Sequence, residues 1–101
     1  PLPDPMRRRD FLITYDICDD RRLRQVFKTM KGFGEHVQLS VFRCSLTKME
    51  MTRLMSKLGD IIHHHVDQVL IIHLGPLPER RPRIRPLGRP YQPAQVGSRV
   101  L

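Results

Sequence analysis

The sequence has no tryptophan and only six aromatic residues among 101. Stacking the bases of a single strand takes several exposed rings, so that mode of recognition is poorly supplied. Two cysteines, Cys18 and Cys44, are too few for a disulfide framework and too sparse for a zinc site. No apolar run approaches the roughly 18–20 residues that cross a bilayer. No charged-then-apolar secretory segment opens the sequence either. Both absences set the expectation of a cytoplasmic protein with no membrane partner. Gly-x-Ser-x-Gly, phosphate-loop and dinucleotide-fingerprint motifs are also missing.

Proline is absent from positions 6–75, and all nine prolines fall at 1–5 or 76–93. Acids are absent from residues 80–101, which carry six arginines: Arg80, Arg81, Arg83, Arg85, Arg89 and Arg99. The formal charge of +8 is therefore uneven, because residues 1–79 hold 12 bases against 10 acids. Three parts are expected: an N-terminal extension at 1–9, one folded domain at 10–75, and a basic Pro/Arg-rich arm at 76–101. Pro1–Pro5 precede Met6, are read as either an upstream extension or a cloning scar, and are set aside. The basic excess points to nucleic acid or another polyanion, without choosing between them.

Within 10–75, periodicity places the elements. Phe11-Leu12-Ile13-Thr14-Tyr15 is apolar, aromatic and β-branched, a buried strand ended by Asp16. Asp19 and Asp20 are N-cap candidates for a helix reaching about Lys31, with Leu23, Val26, Phe27 and Met30 on one stripe. Gly32-Phe33-Gly34 stops it, Gly32 being a good residue just past the helix. Val37–Leu46 alternates at first, with Val37, Leu39 and Val41 on one face. It is one long strand or two joined by a tight turn near Ser40–Phe42. Thr47-Lys48-Met49-Glu50 is a capping box opening a second helix. Val69–Leu74 is another buried strand, closed by Gly75-Pro76. The order β-α-β(β)-α-β fits a ferredoxin-like α+β plan, βαββαβ, with two helices on one face of an antiparallel sheet. A doubly wound βαβαβ fragment competes, but three strands make a thin sheet. In the arm, Arg83-Ile84-Arg85 is one short candidate strand before Pro86.

Asp16 is the most informative position, at the carboxyl end of the first strand. A carboxylate there is aimed well for a hard cation such as Mg²⁺, which keeps several waters and needs one or two protein carboxylates. The plain alternative is a turn acid satisfied by local N–H groups. A two-fold dimer bringing Asp16 beside its mate would supply a second ligand. Arg7–Arg9 and the polar face of the first helix are candidate phosphate contacts, against the alternative of a solvated face. His63-His64-His65 points three ways on a helix, cannot bind one ion together, and suits a helix C-terminus.

Several segments together resemble the CRISPR-associated Cas-two family. They are Leu12-Ile13-Thr14-Tyr15-Asp16 with Asp19-Asp20-Arg21-Arg22, Val26-Phe27-Lys28 with Lys31-Gly32-Phe33-Gly34, and Val37-Gln38-x-Ser40-Val41-Phe42. Leu70-Ile71-Ile72-His73-Leu74 and Pro86-Leu87-Gly88-Arg89 complete the set. Arg43 departs from it, since an acid often follows the Ser-x-Phe motif. The resemblance implies a ferredoxin-like fold, a homodimer, and two strands across Val37–Leu46. It makes Asp16 and its mate a catalytic Mg²⁺ (or Mn²⁺) site for an endonuclease acting on RNA or DNA. Expected nucleic-acid contacts are Arg21, Arg22, Arg24, Lys28, Lys31 and Arg43, with Tyr15, Ser40 and Phe42 as motif positions. The arm is expected to add an edge strand in the dimer or to contact a Cas-one type integrase. A prokaryotic cytoplasmic role in spacer acquisition follows. The alternatives are a toxin-like ribonuclease outside CRISPR, or a non-catalytic scaffold that only binds duplex DNA and the integrase.

Overall fold

The computed structural model describes residue 4 and residues 6–75 and 83–92. Strand β1 spans Arg9–Asp16. Its alternation sends Phe11, Ile13 and Tyr15 toward the core and leaves Leu12, Thr14 and Asp16 on the other side. Helix α1 follows at Asp20–Lys31, N-capped by Asp19, whose carboxylate accepts the Arg22 N–H at 2.9 Å. The expected stripe is buried: Val26 and Met30 are fully enclosed, with Leu23 and Phe27 packed beside them. Gly32 ends α1 in right-handed geometry (φ −80°) and needs no special freedom. Gly34, by contrast, is required by packing. A Cβ there would collide with Cys44 Sγ and lie 2.7 Å from the Arg43 carbonyl oxygen.

The Val37–Leu46 run is two strands, β2 (Glu35–Gln38) and β3 (Val41–Leu46), as the family resemblance implied. The turn falls at Leu39-Ser40, so Val37, Leu39 and Val41 do not share one strand face. Leu39 stands at φ 43°, in the left-handed region, and is 82% exposed. The Tyr15 N–H donates to the Ser40 carbonyl at 3.1 Å and ties this turn to β1. Leucine bears a steric penalty in that conformation, which asparagine tolerates better. Leu39→Asn is therefore expected to raise stability by about 0.5–1 kcal/mol in urea denaturation; a loss of stability would show that the Leu39 side chain contributes where it sits.

Helix α2 spans Lys48–Ile61. Its capping box is formed: Thr47 Oγ1 accepts the Glu50 N–H at 3.1 Å, and Glu50 Oε1 accepts the Thr47 N–H at 2.9 Å. Arg8 adds a bond to Glu50 at 2.8 Å. The Thr47 N–H first, then Arg8, hold the Glu50 carboxyl below its usual range. Met51, Leu54 and Leu58 are buried on the inner side of α2.

Strands β4 (Gln68–His73) and β5 (Ile84–Gly88) complete an antiparallel sheet in the order β2-β3-β1-β4-β5. Ile13 lies opposite Phe42 on one side and Ile71 on the other, so the core runs through the middle of the sheet. The fold is the α+β ferredoxin-like plan with an added edge strand, both helices covering one face. The edge strand outruns the expected Arg83–Arg85, passing through Pro86 to Gly88. An edge position accommodates proline because its missing N–H need not serve a second neighbour. The rest of the arm, Arg80, Arg81 and Arg99 included, lies outside the described residues.

Candidate metal and nucleic-acid site

Asp16 is the last residue of β1, and its side chain is 68% exposed. Local N–H groups do not satisfy it. Instead its Oδ2 accepts a bond from Arg89 Nη2 at 3.0 Å. Arg89 is itself held from several sides. Its Nη1 donates to the Val66 carbonyl at 3.2 Å, and its backbone N–H donates to the Asp67 carbonyl at 2.8 Å. Gln68 Nε2 donates to the carbonyls of Arg89 and Pro90 at 2.9 and 2.7 Å. These contacts fix the end of β5 beside the end of β1.

Among the described residues no group of three or more His, Cys, Asp or Glu side chains could hold a metal ion. Asp16 belongs to no such group, and its Oδ1 is unpartnered among the described residues. That donor fits a hydrated divalent cation as one ligand of a shared set; it does not fit a cation held by one chain alone.

Next to Asp16 lies a buried carboxylate that sequence reading missed. Asp67 is fully enclosed between α2 and β4. It accepts from the backbone N–H groups of Cys18 and His63, both at 2.8 Å, and from Arg22 Nε at 2.7 Å and Nη2 at 3.2 Å. Burial by itself pushes this carboxyl up, but the Arg22 bond and the two N–H donors reverse the effect and hold it at about 2. Asp67 thus joins the β1–α1 connection, α1 and the α2–β4 loop at one point. The only sequence signal was an acid directly before an apolar strand.

This clamp corrects one expectation. Arg22 was counted among the phosphate contacts, but its guanidinium is committed to Asp67 and its side chain is only 25% exposed. The other α1 bases stand differently. Arg21, Arg24, Lys28 and Lys31 are exposed and spaced at three, four and three residues, which puts them on one outer stripe. Lys31 Nζ also sits 5.6 Å from the Phe27 ring centroid. Arg43 is not part of that stripe. It lies across from Leu12 on the uncovered face of the sheet, with Asp10 at 3.7 Å. Tyr15 and Phe42 are core residues with stacked rings, centroids 6.3 Å apart. Ser40 acts through its backbone in the hairpin turn. The histidine triplet follows the last turn of α2, and His64 Nε2 lies 2.9 Å from the Gly59 carbonyl.

Fold and site together define a small ferredoxin-like α+β protein with an exposed acid at a central strand end and a basic helix beginning beside it. A family model, CRISPR associated protein Cas2, matches residues 9–77. The chain belongs to the Cas2 family. It is 39% identical over 83 residues to a CRISPR-associated endoribonuclease Cas2 of Geobacter sulfurreducens, covering 82% of this chain and 87% of that one. It is 42% identical over 91 residues to CRISPR-associated endoribonuclease Cas2 1 of Rhodospirillum rubrum, covering 90% and 89%. Among solved structures, Streptococcus pyogenes Cas2 at pH 6.5 superposes with a TM-score of 0.61 at 35% identity, over 65% of this chain and 86% of that one. The hypothetical protein TT1823 from Thermus thermophilus superposes with a TM-score of 0.66 at 28% identity, over 75% and 99%.

Proposed function

We propose that the protein is a dimeric, metal-dependent endonuclease subunit acting on RNA or DNA in CRISPR spacer acquisition, with Asp16 as its catalytic carboxylate. The observation that carries this reading is the position of Asp16, exposed at a strand end with one carboxylate oxygen unpartnered among the described residues. The uncovered sheet face supports the homodimer. Leu12, Val41, Leu70, Ile72 and Ile84 lie there only partly buried, with no helix of the described residues over them. A face of that kind favours burial against a second copy. A two-fold axis over it would bring two Asp16 carboxylates toward one another. The two Asp16 carboxylates would hold Mg²⁺ or Mn²⁺, which would supply Lewis-acid activation of the attacking water.

The chain's own residues then have separate tasks. Asp16 provides the anionic ligand. Arg89, bound to Oδ2, orients the carboxylate and leaves Oδ1 directed elsewhere. The Arg21–Lys31 stripe leads away from this end over about 15 Å. That length meets about four successive phosphates of one strand. Arg43, on the uncovered face, lies toward the second copy rather than along this stripe.

The test is Asp16→Asn in a cleavage assay with Mg²⁺ on RNA and DNA. Loss of about a thousandfold or more in rate is expected, since the variant keeps the shape and removes the anionic ligand. Undiminished cleavage would remove Asp16 from the role. The non-catalytic scaffold is the second reading, favoured by Arg89 occupying one oxygen of the lone carboxylate. It requires spacer integration with the Cas-one type integrase to survive Asp16→Asn.

A further inference from the structure

The far end of β1 borders a cavity that neither Asp16 nor the α1 stripe reaches. It has a volume of about 560 Å³ and opens between the start of α2 and the first residues of β1 and β5. Its floor is apolar: Leu46, Met51 and Ile71 are buried, and Phe11 meets the His73 ring edge-to-face at 5.1 Å. Around this floor stand, among the described residues, five exposed cations, Arg7, Arg9, Lys48, Arg83 and Arg85, against one acid, Asp4. None of the five forms an ion pair with a described residue; the ion pairs among the described residues lie elsewhere.

We propose that this cavity binds a phosphorylated nucleoside, the phosphates held by the arginine rim and the base set against the apolar floor. Five like charges around one concavity repel one another, and an anion relieves that repulsion. Arginine forks match phosphate oxygens two at a time, and four of the five cations are arginines. Thr47 and Lys48 place the positive end of the α2 dipole on the same wall. Phosphate alone would leave the apolar floor unused, whereas a flat base covers it. The volume falls in the range of small-molecule sites, about 300–1,000 Å³. His73 reports the same field. Burial first, then the charges of Arg9 and Arg83, hold its imidazole below the ordinary value. Its buried Nδ1 has no hydrogen-bond partner among the described residues, an unmet bond beside the cavity.

Phe11 and Asp16 are five residues apart on one strand, about 17 Å. The cavity is therefore a second site, and its test does not depend on cleavage. The ligand is either a free nucleotide or the phosphorylated end of a strand. Calorimetric titration of the full chain in metal-free buffer distinguishes them, using adenosine 5′-triphosphate, a 5′-phosphorylated trinucleotide and its 5′-hydroxyl counterpart. Saturable binding of the triphosphate assigns free nucleotides. Binding of the phosphorylated trinucleotide at least tenfold tighter than its counterpart assigns strand ends. Either supports the proposal. Arg9→Gln and Arg85→Gln, both at exposed positions, should each weaken binding about tenfold. Asp16→Asn should leave it unchanged. The proposal is overturned if neither ligand binds, or if both arginine variants bind like the parent chain. Inorganic triphosphate binding as tightly as adenosine 5′-triphosphate would overturn the role of the floor.

Discussion

Asp67→Ala is expected to destabilise the protein by about 3–5 kcal/mol, the range for removing one partner of a buried ion pair. The alanine leaves the Arg22 guanidinium beside an enclosed space with no anion. It also strips the acceptor from the Cys18 and His63 N–H groups, which Asp67 satisfies at 2.8 Å each. Three segments lose their shared anchor in one substitution. Urea denaturation followed by circular dichroism measures the loss. The same clamp sets an acid limit. The native carboxyl titrates at about 2 rather than its ordinary 3.8, so the unfolded chain binds the proton more readily. Stability therefore rises with pH through this window. It is fully present above the ordinary value and is lost as pH falls toward 2, with about 2 kcal/mol attached to this group. Asp67→Ala should flatten that part of the profile. A loss below about 1 kcal/mol at neutral pH, in the range of an exposed pair, would show that Asp67 is not the anchor.

The contrast between what the sequence reveals and what it hides follows from contact range. The α1 cap at Asp19 and the Thr47–Glu50 box join residues three apart, so residue type and spacing state them directly. The β1, α1 and β4 assignments rest on periodicity, which survives folding because each element buries its own stripe. Arg22–Asp67 spans 45 residues and Arg89–Asp16 spans 73. Those contacts exist only once β1, β4 and β5 are aligned, so Arg22 resembles its exposed helical neighbours until the sheet is known. The position of the hairpin turn, at Leu39-Ser40 rather than near the expected Ser40–Phe42, is hidden for another reason. Leu39 is not a turn-forming type, and its left-handed backbone is imposed by the pairing of β2 and β3 around it. The cavity residues Arg7, Arg9, Lys48, Arg83 and Arg85 come from three places in the chain, and their separate basic segments give no sign of a common floor.

Gly88→Ala is the second large effect, and it tests how the arm is docked. Gly88 stands at φ +91°, and an added Cβ would lie 2.5 Å from the Asp67 carbonyl oxygen and 3.1 Å from Ile62 Cδ1. Backbone strain and overpacking together should cost about 3 kcal/mol. The carbonyl that would be struck is the one that accepts the Arg89 N–H at 2.8 Å. Relief of the clash therefore moves β5 away from β4 and carries Arg89 off Asp16. Arg89→Ala, by comparison, removes an exposed ion pair and should cost about 0–1 kcal/mol. If Gly88→Ala already displaces Arg89, the double variant should be no less stable than Gly88→Ala alone, because the Asp16 contact is already gone. Full additivity of the two losses would mean that Arg89 keeps its hold on Asp16 when β5 shifts. Equal losses for the two single variants would mean that the close approach of Gly88 to Asp67 imposes no strain on a larger residue. The expected ordering places the docking of the arm in the Gly88–Asp67 backbone contact, with the Arg89 side chain following from it.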